Sequence, residues 1–334
     1  MGRGLWGDKR AGAAQVSDIS KQAAVFKQQI KDDSIGSELV ADIRHQLEAD
    51  DAQHNEGRDT EHLHASEVCK SEWCSRASWY RITGVPADRK EKRGNILIYR
   101  EGHDIHDRIQ GALWRLGRLT GEFKCLTCEH IWWDTSPEAC PRCEARWLKY
   151  WEVPIEDKSI RLLGRGDGLV EGTRLGQVLL EVKSIGLGTV RIEVPGIYRD
   201  YSTGDMSLNE LWMTIKRPFP AHVRQIMLYM RALGVHNCIA YYQNKWDQGQ
   251  KAFHVRYLPK AIAPLIEQME MVVDNLANDR VVRRPEWAHD ETVKTCRECQ
   301  YRVTCWRLED GDVDADVQEG GGGAVPLRLF TRVR

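Results

Sequence analysis

The sequence has no long hydrophobic run. No apolar stretch approaches the ~18 residues that a membrane-spanning helix requires, and the first residues, MGRGLWGDKRAGAA, contain no apolar core of signal-peptide length. We therefore expect a soluble, cytoplasmic protein without a membrane partner. The hydrophobic share of 42% is nevertheless close to that of average globular proteins, so a core can form.

The sequence also lacks an excess of charge of either sign, because 48 Lys and Arg residues are balanced by 49 Asp and Glu residues. A net charge of -1 does not by itself indicate a polyanionic partner such as a nucleic acid. Such a partner would need a local basic patch, for which the candidates are 89–93 (RKEKR), Lys216–Arg217 and 280–284. Each of these, taken singly, is more typical of a solvated surface.

The order of patterns predicts one globular domain between two polar segments. Residues 1–61 form a polar N-terminal extension, with helices predicted within 17–47 and a linker at 49–61. Residues 62–308 carry the globular pattern, and 309–334, with four consecutive glycines, are predicted to be a flexible tail. Apolar spacing in the globular part predicts an α/β (α+β) fold, with helices over 102–119, 221–233 and 262–278 and strands over 159–170, 178–184, 238–243 and 252–257.

Two Cys-x2-Cys pairs give the most specific local signal in the chain. Their spacing predicts one closed, tetrahedral Zn²⁺ site within an insertion at 122–147, and an iron site of rubredoxin type is the less favoured alternative. The four cysteines are Cys125, Cys128, Cys140 and Cys143. The insertion also contains Trp132, Trp133 and Trp147. These rings could stack on nucleic-acid bases, but we expect them to pack against the main domain.

Three further cysteines, Cys296, Cys299 and Cys305, lie near the end of the globular pattern. Three thiolates need a fourth ligand, and Cys74 and Cys69 are the candidates far upstream. The resulting site would connect the two ends of the domain. Spacing alone leaves open whether it holds a second zinc or a [4Fe–4S] cluster.

Two carboxylates and a lysine lie on the neighbouring predicted strands. Asp167 lies in the segment 164–170 (GRGDGLV), which ends the first strand, while Glu181 and Lys183 lie two residues apart in the second strand and share a face. Mg²⁺ or Mn²⁺ is typically held by carboxylates, and we expect Asp167, Glu181 and the Val182 carbonyl as its ligands. Lys183 would orient water or stabilise a pentavalent phosphorus. The alternative is an exposed hairpin with an incidental ion pair.

Two predicted helices add polar side chains to this set. Gln225 and Tyr229 are four residues apart on one helix and share a face, from which they could reach a substrate backbone. His106 lies beside an apolar stripe on another helix and is a candidate Mn²⁺ ligand, with His103 as the alternative. A single histidine in such a position is more often a core residue with satisfied hydrogen bonds.

Taken in order, these residues resemble the signature of the RecB-type PD-(D/E)XK nucleases. The resemblance is to the cluster-bearing branch, which contains the AddB nuclease domain, the CRISPR-associated exonucleases and related phage exonucleases. It covers roughly residues 62–306. The residues that match the ordered signature are Cys74, Arg76, Trp79, Tyr80, His106, Asp167, Glu181, Lys183, Gln225, Tyr229, Cys296, Cys299 and Cys305.

The resemblance implies a restriction-endonuclease-like mixed sheet flanked by helices, with the metal site on that sheet. It also implies a [4Fe–4S] cluster on Cys74, Cys296, Cys299 and Cys305, which leaves Cys69 and Cys238 without a role. The inserted cysteine pairs and the N-terminal extension depart from the family pattern.

The function implied is a metal-dependent DNA exonuclease of recombination or repair that acts on single-stranded or duplex DNA ends in a bacterium or phage. The pattern G-x-x-x-x-G-K-[ST] is absent. A motor would therefore be another chain, and a helicase, a recombinase or a single-strand annealing protein is a possible partner. The alternatives are a catalytically silent adaptor that binds DNA or protein, and an interaction protein with two zinc sites and no iron.

Overall fold

The computed structural model describes residues 34–55, 59–89 and 96–307. The chain divides into two units, 1–58 and 59–334, each of which is described by itself. In the first unit, helix α1 (Ser34–Asn55) continues to Asn55, so the linker predicted from residue 49 begins too early. A side-chain hydrogen bond of 2.7 Å from Gln46 to Asp50 spans one turn of this polar helix. The predicted tail at 309–334 and part of the basic run at 89–93 lie outside the described residues.

The described part of the second unit contains a mixed, nine-stranded sheet. Its strand order is β1–β5–β4–β2–β6–β7–β8–β9, with β3 paired to β2. The β1–β5 and β7–β8 pairs are parallel, and the other pairs are antiparallel. The strands are β1 (Leu63–His64), β2 (Leu119–Cys125), β3 (Ile131–Thr135), β4 (Leu148–Asp157), β5 (Leu162–Gly166), β6 (Gly168–Thr173), β7 (Gly176–Ile185), β8 (Asn237–Asn244) and β9 (Gln250–Arg256).

Helices cover both faces of the sheet, which confirms the predicted mixed sheet flanked by helices. On one face, Ile105 packs against Val178, Leu180 and Val182 of β7. On the other face, Leu179 and Ile185 of β7 join the main core. None of the described helices is both long and apolar enough to cross a membrane. The helices of this unit are α2 (Ala65–Val68), α3 (Ser75–Ile82), α4 (Ile96–Arg115), α5 (Leu187–Glu193), α6 (Pro195–Ser202), α7 (Leu208–Thr214), α8 (Pro220–Leu233), α9 (Pro259–Ala277), α10 (Lys294–Glu298) and α11 (Arg302–Arg307).

The strand predicted over 159–170 is interrupted where the candidate site lies. Residues 158–160 form a 3₁₀ turn, β5 ends at Gly166, and β6 begins at Gly168. Asp167 therefore occupies the break between the two strands. The break is tightly packed, because a Cβ at Gly168 would lie 2.8 Å from the Leu119 side chain. Apolar periodicity does not report such an interruption, since the side-chain pattern continues on both sides of it.

Other boundaries differ in simpler ways. The helix predicted over 102–119 is α4, which ends at Arg115, and Gly117 has a positive φ of 69° before β2 begins at Leu119. Strand β4 and the short helices α5–α7 were not predicted. Helices α8 and α9 and strands β7–β9 lie within a few residues of their predicted positions. Proline at the first helical residue marks the beginning of both α8 and α9.

Candidate active site and metal centres

Asp167 connects three elements at the strand break. Its Oδ1 lies 2.9 Å from Nδ1 of His106 on α4, and its Oδ2 accepts a hydrogen bond of 2.6 Å from the backbone N–H of Val182 on β7. Burial raises the pKa of Asp167, but His106, Lys183 and the Val182 N–H outweigh it, so the pKa lies below its ordinary value. Asp167 is therefore an anion held in a buried position. The alternative histidine, His103, is exposed on α4.

Glu181 and Lys183 share a face of β7, as the strand period predicts. Nζ of Lys183 donates a hydrogen bond of 2.7 Å to Oε1 of Glu181. Glu181 is only 2% exposed, and its Oε2 is a buried atom that has no hydrogen-bond partner. Burial raises the pKa of Glu181 to about 7, against the lowering effect of Lys183. Burial lowers the pKa of Lys183, but the charges of Glu181 and Asp167 raise it by more. The pKa therefore lies above its ordinary value, and the ammonium keeps its charge.

Helix α8 completes this side of the site. Nζ of Lys183 also donates to Oε1 of Gln225 at 3.0 Å, and the Gln225 amide donates to the Tyr229 hydroxyl at 3.2 Å. Tyr229 is buried, and burial raises its pKa well above the ordinary value, so its hydroxyl stays neutral. Side chains that are far apart in the sequence thus form one connected chain of contacts from α8 to β7.

Glu152 is a potential ligand that the sequence analysis missed. The side chains of His106, Glu152 and Asp167 offer ligand atoms that all lie within 4.8 Å of one another, which could hold a metal ion. Gln110 on α4 restrains two of them, since its amide lies 3.4 Å from Oε1 of Glu152 and donates to the Asp167 carbonyl at 2.9 Å. Burial, followed by the charge of Asp167, raises the pKa of Glu152.

The backbone explains why Glu152 was missed. The β2–β4 register shifts beside its partner Glu122, and Glu152 has a positive φ of 67°, an uncommon conformation for a side chain other than glycine. Simple alternation along β4 therefore does not give the direction of Glu152. The available signal was an acidic residue inside the otherwise apolar segment 150–155 (YWEVPI).

The donor set fits a hard divalent cation. It combines the anionic Asp167, the imidazole of His106 and the carboxylate of Glu152, whose ligand atoms lie within 4.8 Å of one another and are typical of Mg²⁺ or Mn²⁺ ligands. The unpartnered Oε2 of Glu181 is a further candidate, because Glu181 is close enough to Asp167 and His106 for both to shift its pKa. A buried carboxylate oxygen without a partner costs free energy. A cation beside Glu181 would remove that cost. The role of the Val182 carbonyl stays a prediction.

The Cys-x2-Cys pairs converge on a second potential metal centre. All four Sγ atoms lie within 4.8 Å of one another, and two of the separations are 3.6 Å and 3.7 Å. A zinc with Zn–S bonds of about 2.3 Å needs sulfurs roughly 3.8 Å apart. Backbone N–H groups of Thr127 and Arg142 each donate to a sulfur at 3.4 Å. The predicted four-cysteine group therefore has the geometry of a zinc knuckle.

The expectation that all three tryptophans of the insertion are packed is wrong. Trp132 packs against Phe123, with 6.2 Å between the ring centroids. Trp133 is 49% exposed and Trp147 is 69% exposed. Trp133 lies on β3, which pairs with β2 alone, and Trp147 directly precedes β4.

The three cysteines near the end of the globular part, Cys296, Cys299 and Cys305, are called the late cysteines below. They lie around Cys74 at the beginning of α3. Burial raises the pKa of Cys74 to about 12, and Cys299, Cys305 and Cys296 raise it further because they are close by. Cys69 has different neighbours, since Arg224, Lys183 and Glu181 affect its pKa. Of the two candidates for a fourth ligand, Cys74 is therefore the one beside the late cysteines.

The late-cysteine group is wider than a single zinc site. Among the described residues, two groups have ligand atoms that all lie within 4.8 Å of one another: the four-cysteine knuckle, and His106 with Glu152 and Asp167. The late cysteines do not form such a group. Cations face the wider group: Arg284 lies 3.5 Å and Arg76 lies 3.9 Å from Sγ of Cys305. The backbone N–H of Tyr301 donates to Sγ of Cys299 at 3.4 Å. Such donors stabilise sulfur ligands that carry negative charge.

Comparisons with known proteins do not give the chain a family. No family model matches it, and no curated protein matches it. Among solved structures, the alkaline exonuclease LHK-Exo from Laribacter hongkongensis is 15% identical over 65% of this chain and 89% of that chain, with a TM-score of 0.37. The same enzyme in complex with dAMP is 14% identical, with the same coverage and TM-score. SSO0001 is 12% identical over 79% of this chain and 96% of that chain, with a TM-score of 0.37.

The buried carboxyl of Glu181 predicts a specific pH dependence of stability. Its pKa in the folded protein, about 7, lies above the ordinary value of 4.5. Its contribution to the free energy of unfolding is therefore fully present below about pH 4.5 and is lost as the pH rises through about 7. We expect the protein without divalent cations to melt several degrees lower at pH 8 than at pH 6, and added Mn²⁺ to reverse the loss.

Thermal unfolding of wild type and Glu181→Gln at both pH values, with and without Mn²⁺, checks this expectation. His106 and Glu152 also have raised pKa values and change stability in the same direction, so the difference between the two proteins isolates Glu181. An equal pH dependence in wild type and Glu181→Gln would contradict it.

Proposed function

We propose that this chain is a metal-dependent deoxyribonuclease of the PD-(D/E)XK type, an exonuclease that hydrolyses phosphodiester bonds at DNA ends. The observation that carries the proposal is the buried Glu181–Lys183 pair with one carboxylate oxygen unpartnered beside the anionic Asp167. A pair that served only the fold would be expected to have all its hydrogen bonds satisfied. The unpartnered oxygen supports a role in holding a cation.

Asp167, Glu181, His106 and Glu152 would hold the Mg²⁺ or Mn²⁺, with the Val182 carbonyl as a further ligand. Such a cation, when bound, polarises a phosphate oxygen and lowers the pKa of bound water. His106 contributes a nitrogen donor, which is better suited to Mn²⁺ than to Mg²⁺. Gln110 orients Glu152 and the Asp167 backbone from behind.

Lys183 acts as a fixed positive charge in this proposal. Two of its contacts, to Glu181 and Gln225, use two of the three ammonium protons. The third proton is available to a phosphate oxygen or to the attacking water. Because the pKa of Lys183 is raised, it stabilises developing negative charge rather than acting as a base. Gln225 and Tyr229 position Lys183 and contact the substrate backbone.

We further propose a structural [4Fe–4S] cluster on Cys74, Cys296, Cys299 and Cys305 and a structural zinc on Cys125, Cys128, Cys140 and Cys143. The wider spacing of the first group supports a bound group larger than one ion, and the arginines around Cys305 would stabilise sulfur ligands that carry negative charge. The sulfur separations of 3.6 Å and 3.7 Å support zinc in the second.

In the cell, the proposed role is the processing of DNA ends in recombination or repair. The protein would act in the cytoplasm of a bacterium, either as a bacterial protein or as one encoded by an infecting phage. A recombinase, a single-strand annealing protein or a helicase on another chain would be the partner. The catalytic set proposed here contains no nucleotide-binding motif.

The test is a cleavage assay with anaerobically purified protein. We expect end-labelled single-stranded or duplex DNA to be shortened from its ends with Mg²⁺ or Mn²⁺ and to stay intact without a divalent cation. A circular single strand serves as the matched substrate without ends. Protein that binds these DNAs but cuts none of them with either cation would contradict the proposal and support the adaptor.

A further inference from the structure

One face of the insertion carries a row of basic and aromatic side chains. Directly opposed residues of antiparallel strands share a face. Lys124 on β2 opposes Lys149 on β4 and Ile131 on β3. Trp133 on β3 opposes Glu122, two residues from Lys124, and so lies on the same face. This surface, which also includes Trp151 and Arg165, is called the cationic tryptophan face below.

Three cations surround the indole of Trp151. Nζ of Lys124 lies 5.3 Å, Nζ of Lys149 lies 5.5 Å and Cζ of Arg165 lies 5.6 Å from the ring centroid. Like charges at such distances repel one another. The acid in direct contact with them is Glu122, whose Oε2 lies 3.0 Å from Arg165. Glu152 also lies near Arg165, but in the part of the chain that the structure describes neither Glu122 nor Glu152 forms an ion pair with Lys124 or Lys149, so this face favours a polyanion.

The row leads to the candidate active site. It crosses the adjacent strands β3, β2, β4 and β5, which at 4.7–4.9 Å per strand is a path of about 14 Å. At its end, Trp151 directly precedes Glu152, and Arg165 lies two residues before Asp167. Arg165 is close enough to Glu152 to lower its pKa. The end of this face at Arg165 therefore lies close to Glu152 of the candidate active site.

We propose that the cationic tryptophan face binds a single strand of DNA and leads it to the active site, with phosphates on Lys124, Lys149 and Arg165 and a base stacked on Trp133. Rings interleaved with cations fit a single strand, because its unpaired bases can stack while its backbone follows the charges. Trp133 is 49% exposed and offers such a ring. A duplex keeps its bases stacked on one another, and an acidic peptide has no bases to stack on the ring.

The proposal rests on the proposed function only for where the strand leads, and binding can be measured apart from cleavage. We would use the full chain carrying Asp167→Asn without divalent cations, so that cleavage does not compete with binding, and measure fluorescence anisotropy with labelled oligo-dT over a range of salt concentrations. The double variant Lys124→Ala/Lys149→Ala should bind at least about tenfold more weakly, with a salt slope smaller by about 1.4, or ~0.7 for each lost phosphate contact. Trp133→Ala should bind at least about fivefold more weakly, with an unchanged salt slope.

The matched control removes two other exposed lysines, Lys158 and Lys260, from the surface. Lys158→Ala/Lys260→Ala should bind like the parent protein, and all variants should retain the parent melting temperature and zinc content. Equal losses in the control and test variants would overturn the proposal. So would an equal affinity for duplex DNA that is equally sensitive to Trp133→Ala, or competition by polyglutamate as effective as that by oligo-dT. A protein that cuts DNA while these variants bind normally would overturn this proposal and leave the proposed function standing.

Discussion

Asp167→Asn should reduce metal-dependent DNA cleavage by about a hundredfold or more while the protein stays folded. The substitution keeps the shape of the side chain but removes the charge that faces His106 and the Val182 N–H. An amide is a poor ligand for Mg²⁺ or Mn²⁺ in this position, and the loss of one preorganised polar group in an active site commonly costs about 10²–10³ in rate. Single-turnover cleavage of end-labelled DNA, together with the melting temperature, measures the effect.

Asp107→Asn is the matched control for this variant. Asp107 is exposed on α4 next to His106, so the same chemical change is made outside the site. It should cleave DNA like wild type. Mn²⁺ binding followed by calorimetry gives a readout that does not depend on activity, and it should weaken in Asp167→Asn alone. Full cleavage by Asp167→Asn would remove Asp167 from the proposed site.

Lys183→Ala should also abolish cleavage, but it leaves Glu181 buried without its cation. Breaking a buried ion pair on one side commonly costs about 3–5 kcal/mol, so this variant could fail to fold. Lys183→Gln can keep a hydrogen bond to Glu181 without the charge and separates the two effects. Folded Lys183→Gln that cuts DNA at the wild-type rate would contradict the role given to the ammonium.

Cys296→Ala should lose the iron of the protein and keep its zinc. Cys296, Cys299, Cys305 and Cys74 come from both ends of the domain, so the cluster would hold α3 against α10 and α11. Its loss should remove the brown colour and lower the melting temperature by several degrees, since a group that binds only the folded chain stabilises it. Anaerobic purification followed by iron and zinc analysis measures this outcome, with about four irons and one zinc expected per wild-type chain.

Three other cysteine variants sharpen that experiment. Cys140→Ala should show the reciprocal result, with zinc lost and iron kept. Cys238→Ala, in the core of β8, changes a buried cysteine that belongs to neither group and should keep both metals. Cys69→Ala should also keep the iron, because Cys69 lies beside Arg224 rather than the late cysteines. Zinc at the late cysteines of the wild-type protein, with no iron, would contradict the cluster.

Much of the candidate site follows from local rules. The strand period gives the common face of Glu181 and Lys183, and the helix period gives that of Gln225 and Tyr229. Their mutual contact across β7 and α8 was expected through the family resemblance rather than from the spacing. The fold was predicted in outline because apolar periodicity reports long elements such as α8, α9 and β7.

The missed features depend on irregular backbone. Glu152 entered the site through a register shift in β4 and a positive φ, and neither has a marker in the sequence. The interruption at Asp167 was likewise invisible, because apolar residues continue on both sides of it. The choice of Cys74 or Cys69 as the fourth ligand of the late cysteines also stayed open, because the two residues are close in the sequence and both precede α3.

By itself, the sequence determined the chemistry that is available: two carboxylates and a lysine at strand spacing, a helical Gln–Tyr pair and two Cys-x2-Cys pairs. These follow from geometry within one element, where neighbouring residues fix one another's directions. Only the tertiary structure decided that Glu152 belongs beside Asp167 and His106, that Cys74 faces the late cysteines and that the insertion leaves Trp133 exposed. The physical reason is that strand register, bulges and helix packing set contacts between residues far apart in the chain, and they depend on the whole core rather than on any local segment.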